Sequence, residues 1–411
     1  MLVVERATAR HTHGPPGVGP ADRFRPGRRA VDWLRPMVPT IVLYLCLRIV
    51  AMTVVGRIAV AHHVHHPNRL LHTWDGLWYL GIAENGYHMH TLVTSDHRVL
   101  TPYAFFPLYP MLIRWLAWLT PLSPVRSGLL ISWVASAFAA AGMYKVCARV
   151  YDGRVGMILA GLWGVLPHAV YEQAVYTESL FTALAAWALY ALLCRRWVTA
   201  GLICFAAGLT RPTALPVIAC VCVGAGLAAY RREDRWRPYA AMALAPAGMV
   251  GYLVWVADQM HRWDGYLWTQ QQWTTVFDAG RYNWRHWIAI VSGRDAIWDP
   301  VYPHAHLQSP GFQITSLIIF GTVALLVIQF MQRQPWPLLL YSALTVVFVL
   351  GTAGFYASKP RHMLPDFALL LPMALLLRNS RRSTLIFGLV ALAIISGWYA
   401  GYLLMTWHAP P

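Results

Sequence analysis

The chain has 411 residues, 57% of them hydrophobic and 12% charged, with a mean hydropathy of +0.45. A soluble domain carries about 25% charge and fewer apolar residues, so a string of soluble domains is excluded. The formal charge of +16 would point to nucleic acid in a soluble protein. Here the basic residues fall mostly in short loops between apolar segments, which membrane topology explains, and no nucleic-acid partner is expected.

Residues 1–36 are rich in Arg, Gly and Pro and lack the apolar core and cleavage site of a signal peptide. They are expected to form a disordered cytoplasmic tail ahead of a single transmembrane domain, residues 37–411. Among the basic residues only Lys145 and Lys359 are lysines, a hint of a GC-rich bacterial genome.

The first apolar segment is Met37–Ala61. Its preceding arginines hold the tail inside, so the chain emerges into a first outer loop, about residues 62–127. Within that loop Ala104–Leu122 is apolar but broken by prolines, and reads as an interfacial or re-entrant segment. Spans follow at Gly128–Val150, Val155–Ala169, Leu180–Cys194, Trp197–Leu209, Ala214–Tyr230 and Tyr239–Ala257. A second outer loop covers about residues 258–311. Phe312–Met331, Trp336–Gly354, Phe367–Leu377 and Leu385–Met405 complete an all-α, polytopic bundle of about eleven spans. With that threading every dense arginine cluster is cytoplasmic and both long loops are outside.

The first outer loop holds HTWDGLWYLGIAENGYH, His72 to His88. Trp74 to Glu84 reads as a short helix stopped by Asn85-Gly86. Trp74 and Trp78 are four apart and are expected on one face. Asp75 and Glu84 are nine apart, about half a turn out of phase, so one helix cannot aim both at one point as a glycosidase aims its carboxylate pair. Asp75 is the candidate for chemistry. The alternative is that it charges the helix N-terminus while the tryptophans anchor at the interface.

Arg48 and Arg57 lie inside the first span, where an arginine is costly and often functional; Arg57 is close enough to the outer end to snorkel. The six cysteines lie in or beside apolar segments, which argues against a disulfide framework. The run His62-His-Val-His-His66 invites a metal, but no acid or cysteine joins it locally, and no metal site is assigned.

The motif formed by Trp74-Asp75, Tyr79, Ile82-Ala83 and Gly86-Tyr87, followed by Ala104-Phe-Phe-Pro-Leu-Tyr-Pro110, resembles the PIG-V family of GPI mannosyltransferases and its bacterial, actinobacterial-type relatives. Val175-Tyr-Thr-Glu-Ser-Leu180, Leu209-Thr-Arg-Pro-Thr213 and Lys359-Pro-Arg-His362 follow in the same order. The resemblance implies a GT-C glycosyltransferase. Such an enzyme takes a sugar, usually mannose, from a polyprenyl-phosphate donor and transfers it with inversion on the non-cytoplasmic face of the plasma (inner) membrane. It implies that Asp75 is the general base on the acceptor hydroxyl of a lipid or glycolipid. No nucleotide is bound, so neither a metal nor a cofactor is expected.

Under that resemblance the leaving group is a lipid phosphate, which needs cationic donors. Arg211, Lys359 and Arg361 are the candidates, with His362 as a hydrogen-bond donor. Snorkelling to lipid headgroups is their alternative role. Candidate substrate contacts are Trp74, Tyr79, Glu84 and Glu178, and Tyr103, Phe105 and Phe106 along a groove for the donor's lipid chain; the alternatives are a structural role for Glu84, helix capping for Glu178 and interfacial anchoring for the three aromatics. Trp268 and Trp273 in the second loop are candidates for an acceptor platform, with interfacial anchoring as the alternative. A flippase for a lipid-linked sugar and a non-catalytic subunit acting with a protein partner are the competing functions.

Overall fold

The computed structural model describes residues 34–64, 67–89, 91–94, 97–295, 297, 299, 301–302 and 306–407. Most of the expected N-terminal tail, His65 and His66 of the histidine run, and Trp298 lie outside the described residues. Residues 37–411 form one compact unit.

This unit is built from helices. Among the described residues, six are long and apolar enough to cross a membrane: Arg35–Ala61, Pro124–Val150, Pro212–Tyr230, Arg237–Gln259, Pro310–Met331 and Arg382–Met405. Five shorter apolar helices stand among them: Gly153–Trp163, Glu178–Leu193, Trp197–Gly208, Trp336–Gly351 and Phe367–Asn379. In chain order we label the α-helices of the first half α1 (Val38–Ala61), α2 (Asp75–Asn85), α3 (Leu108–Leu119), α4 (Pro124–Val150), α5 (Gly153–Trp163), α6 (Glu178–Leu193) and α7 (Trp197–Gly208). The second half adds α8 (Leu215–Tyr230), α9 (Arg237–Gln259), α10 (Gly265–Gln272), α11 (Arg281–Val291), α12 (Pro310–Met331), α13 (Trp336–Gly351), α14 (Lys359–Met363), α15 (Leu371–Leu376) and α16 (Arg382–Met405). Two short strands, β1 (Leu92–Val93) and β2 (Val99–Leu100), pair antiparallel with Leu92 opposite Leu100.

Helix starts follow local chemistry. The Ser123 hydroxyl accepts from the Arg126 amide ahead of α4, and Asp152 accepts from the Val155 amide ahead of α5. In apolar surroundings helices are held by close packing of small residues rather than by expulsion of water. The seam between α7 and α9 shows this. An added Cβ at Gly201 would stand 3.0 Å from the Ala241 Cα, one at Gly208 would stand 2.8 Å from the Met249 amide, and a side chain at Gly248 would collide with the Phe205 carbonyl. Similarly, at Gly397 of α16 an added Cβ would stand 2.5 Å from the Ala51 carbonyl of α1.

α3 is the core of the proline-broken segment. Its twelve residues rise about 18 Å and it is amphipathic: Tyr109 and Ile113 are buried, while Trp115 and Trp118 on the other side are exposed.

Arg48 is a structural clamp. Its Nε donates to Gln173 Oε1 at 2.5 Å, and its Nη1 and Nη2 donate to the Gly164 and Ala169 carbonyls at 2.9 Å each. These bonds tie the middle of α1 to the loop between α5 and α6. The sequence marks Arg48 for function because an intramembrane arginine is costly; here that cost is offset by carbonyls and an amide that would otherwise be unpaired.

Candidate active site

Four segments meet at one end of the bundle. Asp75 opens α2, Glu178 opens α6, Arg211 lies in the turn between α7 and α8, and Arg361 sits in α14. Arg361 Nη1 lies 2.7 Å from Asp75 Oδ2, and its Nε lies 3.6 Å from Glu178 Oε1. The same Glu178 oxygen is 3.1 Å from Arg211 Nη1. The result is a chain of alternating charge: Asp75, Arg361, Glu178, Arg211.

Three of the four members are buried. Arg211, Glu178 and Arg361 are 7%, 2% and 5% exposed, while the Asp75 side chain keeps 29% of its surface open. Asp75 is therefore the member most open to its surroundings. Among the described residues, Nε of Arg211, Nε of Arg361 and Oε2 of Glu178 are buried and make no hydrogen bond. Buried polar atoms left in that state are uncommon and call for an explanation. The two carboxylates hold Arg361 firmly protonated.

Aromatic rings fix the cations. The Arg361 guanidinium stands 4.9 Å from the Tyr176 ring and 5.8 Å from the Tyr171 ring, and Arg211 stands 5.9 Å from Phe181. Tyr171 and Tyr176 escape the sequence-based list of site residues. The available signal is that Tyr176 falls inside the Val175–Leu180 motif, two positions before Glu178.

The remaining candidates divide. Tyr79 joins the site: its hydroxyl is 3.3 Å from the Thr177 hydroxyl, beside Glu178, and burial raises its pKa. Its ring meets Phe105 edge-on at 5.2 Å. Trp78 and Phe105 stack at 5.5 Å, and Trp273 meets both edge-on at 5.3 and 5.4 Å. The buried indole N–H of Trp273 makes no hydrogen bond among the described residues. Trp273 thus borders the first loop, whereas Trp268 lies under the Arg262 guanidinium at 5.4 Å. Tyr103 and Phe106 belong to a separate aromatic group with Tyr87, Tyr252 and Trp255. Glu84 is exposed at the far end of α2, as helical phase requires.

The tryptophan pairing needs correction. α2 begins at Asp75, so Trp74 precedes the helix, with φ +52°, and is 46% exposed. Trp78 is 8% exposed and packs inward. The left-handed backbone at Trp74 breaks the four-residue spacing that would place both on one face.

His362 approaches Arg361, Nε2 to Nη2, at 3.2 Å. Burial and the neighbouring Arg361, Arg211 and Lys359 push its pKa down, so its ring is neutral. Lys359 turns elsewhere: its amine donates to the Thr352 carbonyl at 2.6 Å, at the end of α13. Burial pulls Lys359 down to about 7, with Asp278 opposing.

A partly exposed carboxylate beside one buried guanidinium, with a second linked through Glu178, can take a proton while the guanidiniums hold an anion. A comparison with curated proteins finds no match. Residues 45–236, which hold Asp75, Glu178 and Arg211 but not Arg361, match the family model described as mannosyltransferase (PIG-V).

Proposed function

We propose that the protein is an inverting membrane mannosyltransferase of GT-C type. It moves mannose from a polyprenyl-phosphate donor to a lipid or glycolipid acceptor on the non-cytoplasmic face. The observation that carries this reading is the pairing of a partly exposed carboxylate, Asp75, with the buried guanidinium of Arg361, which shares Glu178 with the buried Arg211. The family match supports glycosyltransferase activity.

In the proposed reaction the acceptor hydroxyl attacks the anomeric carbon and its proton passes to Asp75. The bond from that carbon to the phosphate oxygen breaks, and the electron pair stays with the lipid phosphate. That group gains negative charge as it leaves, which Arg361 and Arg211 stabilise. His362, neutral and bonded to Arg361, is placed to donate or accept a hydrogen bond there.

The membrane reading takes the six long and five shorter apolar helices as eleven spans. Glu178 starts α6, and Arg195-Arg196 follow its other end. The positive-inside rule then supports a site on the outer face. The purified protein, incubated with radiolabelled polyprenyl-phosphate mannose and candidate lipid acceptors, is expected to make a labelled glycolipid, and Asp75→Ala is expected to make none. A folded wild-type protein that transfers to no acceptor would sink the proposal.

A further inference from the structure

The charge chain balances without a ligand: two carboxylates, Asp75 and Glu178, face two guanidiniums, Arg211 and Arg361. An entering lipid phosphate adds a third anion, so one carboxylate must give up part of its pairing. Burial decides which. Glu178 is 2% exposed, and leaving a buried charge unpaired is costly. Asp75 is open to water, which can solvate the freed carboxylate. Arg361 stays where it is, because the rings of Tyr176 and Tyr171 hold its guanidinium. Its buried Nε lies 3.6 Å from Glu178 and makes no hydrogen bond among the described residues, so it can still donate one to a new oxygen.

We propose that Arg361 serves two anions in turn: it holds Asp75 idle until a lipid phosphate takes its place, and only then is Asp75 released to accept the acceptor's proton. This rests on the lipid-phosphate donor proposed above. A carboxylate oxygen with a guanidinium 2.7 Å away is occupied, and one released from it is open to the acceptor's hydroxyl. Base activation is thereby tied to the presence of the leaving group. The proton goes from the hydroxyl to Asp75, and the electron pair of the broken bond goes to the phosphate. Arg361 acts through Asp75 in the first stage and on the phosphate in the second.

The test measures binding of farnesyl phosphate, which has the lipid phosphate but no sugar, to the full chain in detergent. Asp75→Asn is expected to bind it about tenfold more tightly, because Arg361 has lost its resident carboxylate; tenfold corresponds to about 1.4 kcal/mol. Glu178→Gln is expected to bind it more weakly, because Glu178 holds both guanidiniums in place. A general loss of negative charge would tighten both variants and would overturn the proposal, as would unchanged or weaker binding by Asp75→Asn. In an Arg361→Gln background, Asp75→Asn is expected to have no effect on affinity; a persisting gain also overturns the exchange. Wild-type protein that fails to bind farnesyl phosphate at all removes the lipid-phosphate reading itself, a result distinct from binding without exchange.

Discussion

Arg361 closes on Asp75 at 2.7 Å although most of the chain lies between them. The contact joins the start of α2 to the short helix after α13, and it gives the candidate base a cationic neighbour that its own loop does not supply.

Replacing Asp75 by Asn keeps the shape and removes the proton acceptor. Sugar transfer is expected to fall by about 10²–10⁴-fold, the usual contribution of general acid–base catalysis. Thermal unfolding in detergent should change little, because Asp75 is the open member of the cluster. A variant with wild-type turnover would remove Asp75 from the chemistry.

Glu178→Ala leaves Arg211 and Arg361 facing each other in a buried space without their shared counter-charge. A loss of about 3–5 kcal/mol is expected, read as a lowered midpoint of unfolding. An unchanged midpoint would mean that the two arginines find water or other partners.

Arg48→Lys keeps the charge and loses the fork. One ammonium cannot reach Gln173, Gly164 and Ala169 as the guanidinium does. The substitution is expected to lower folded yield and thermal stability nearly as far as Arg48→Ala. Full rescue by lysine would show that charge matters here and geometry does not.

Much of this was legible in the chain. The apolar runs mark most of the helices to within about four residues, because their lengths and flanking arginines are local properties; the Val155–Ala169 run overshoots α5, which ends at Trp163. Asp75, Glu178, Arg211 and Arg361 each stand out as polar residues beside apolar segments. Their pairing does not, since each belongs to a different loop and nothing local records which cation meets which acid. Two positions lie differently from what their sequence context suggests, for physical reasons. Trp74 leaves the helical face because its backbone is left-handed, which no spacing reveals. Lys359 reads like Arg361 in sequence, yet it is turned onto the Thr352 carbonyl.

Lys359 makes a pH prediction. Its folded-state pKa is about 7 against an ordinary 10.5, so the unfolded chain binds more protons between those values. The sign follows: this contribution to stability is full above about 10.5 and is lost as pH falls through 7. The unfolding midpoint should therefore rise across that window in the wild type, and the rise should shrink in Lys359→Met. Equal slopes in the two proteins would contradict the burial of a titrating amine.

Gly248→Val places a branched side chain against the Phe205 carbonyl in the α7–α9 seam. Overpacking costs about 1–3 kcal/mol where neighbours can shift, and backbone cannot shift easily. Lowered stability is expected, with Gly248→Ala intermediate; a neutral valine would show that the two helices separate freely.

Of the four charged members of the site, only Arg361 lies beyond the segment that carries the family match. A chain is made from its N-terminus and its parts fold in that order. Asp75, Glu178 and Arg211 are thus synthesised long before their last partner. Until α14 emerges, the nascent protein holds two acids to one arginine, and one carboxylate must rely on water. Completion of the charge cluster is in this sense a late event of biosynthesis, and truncation anywhere before Arg361 leaves the site unfinished even where the matched segment is whole.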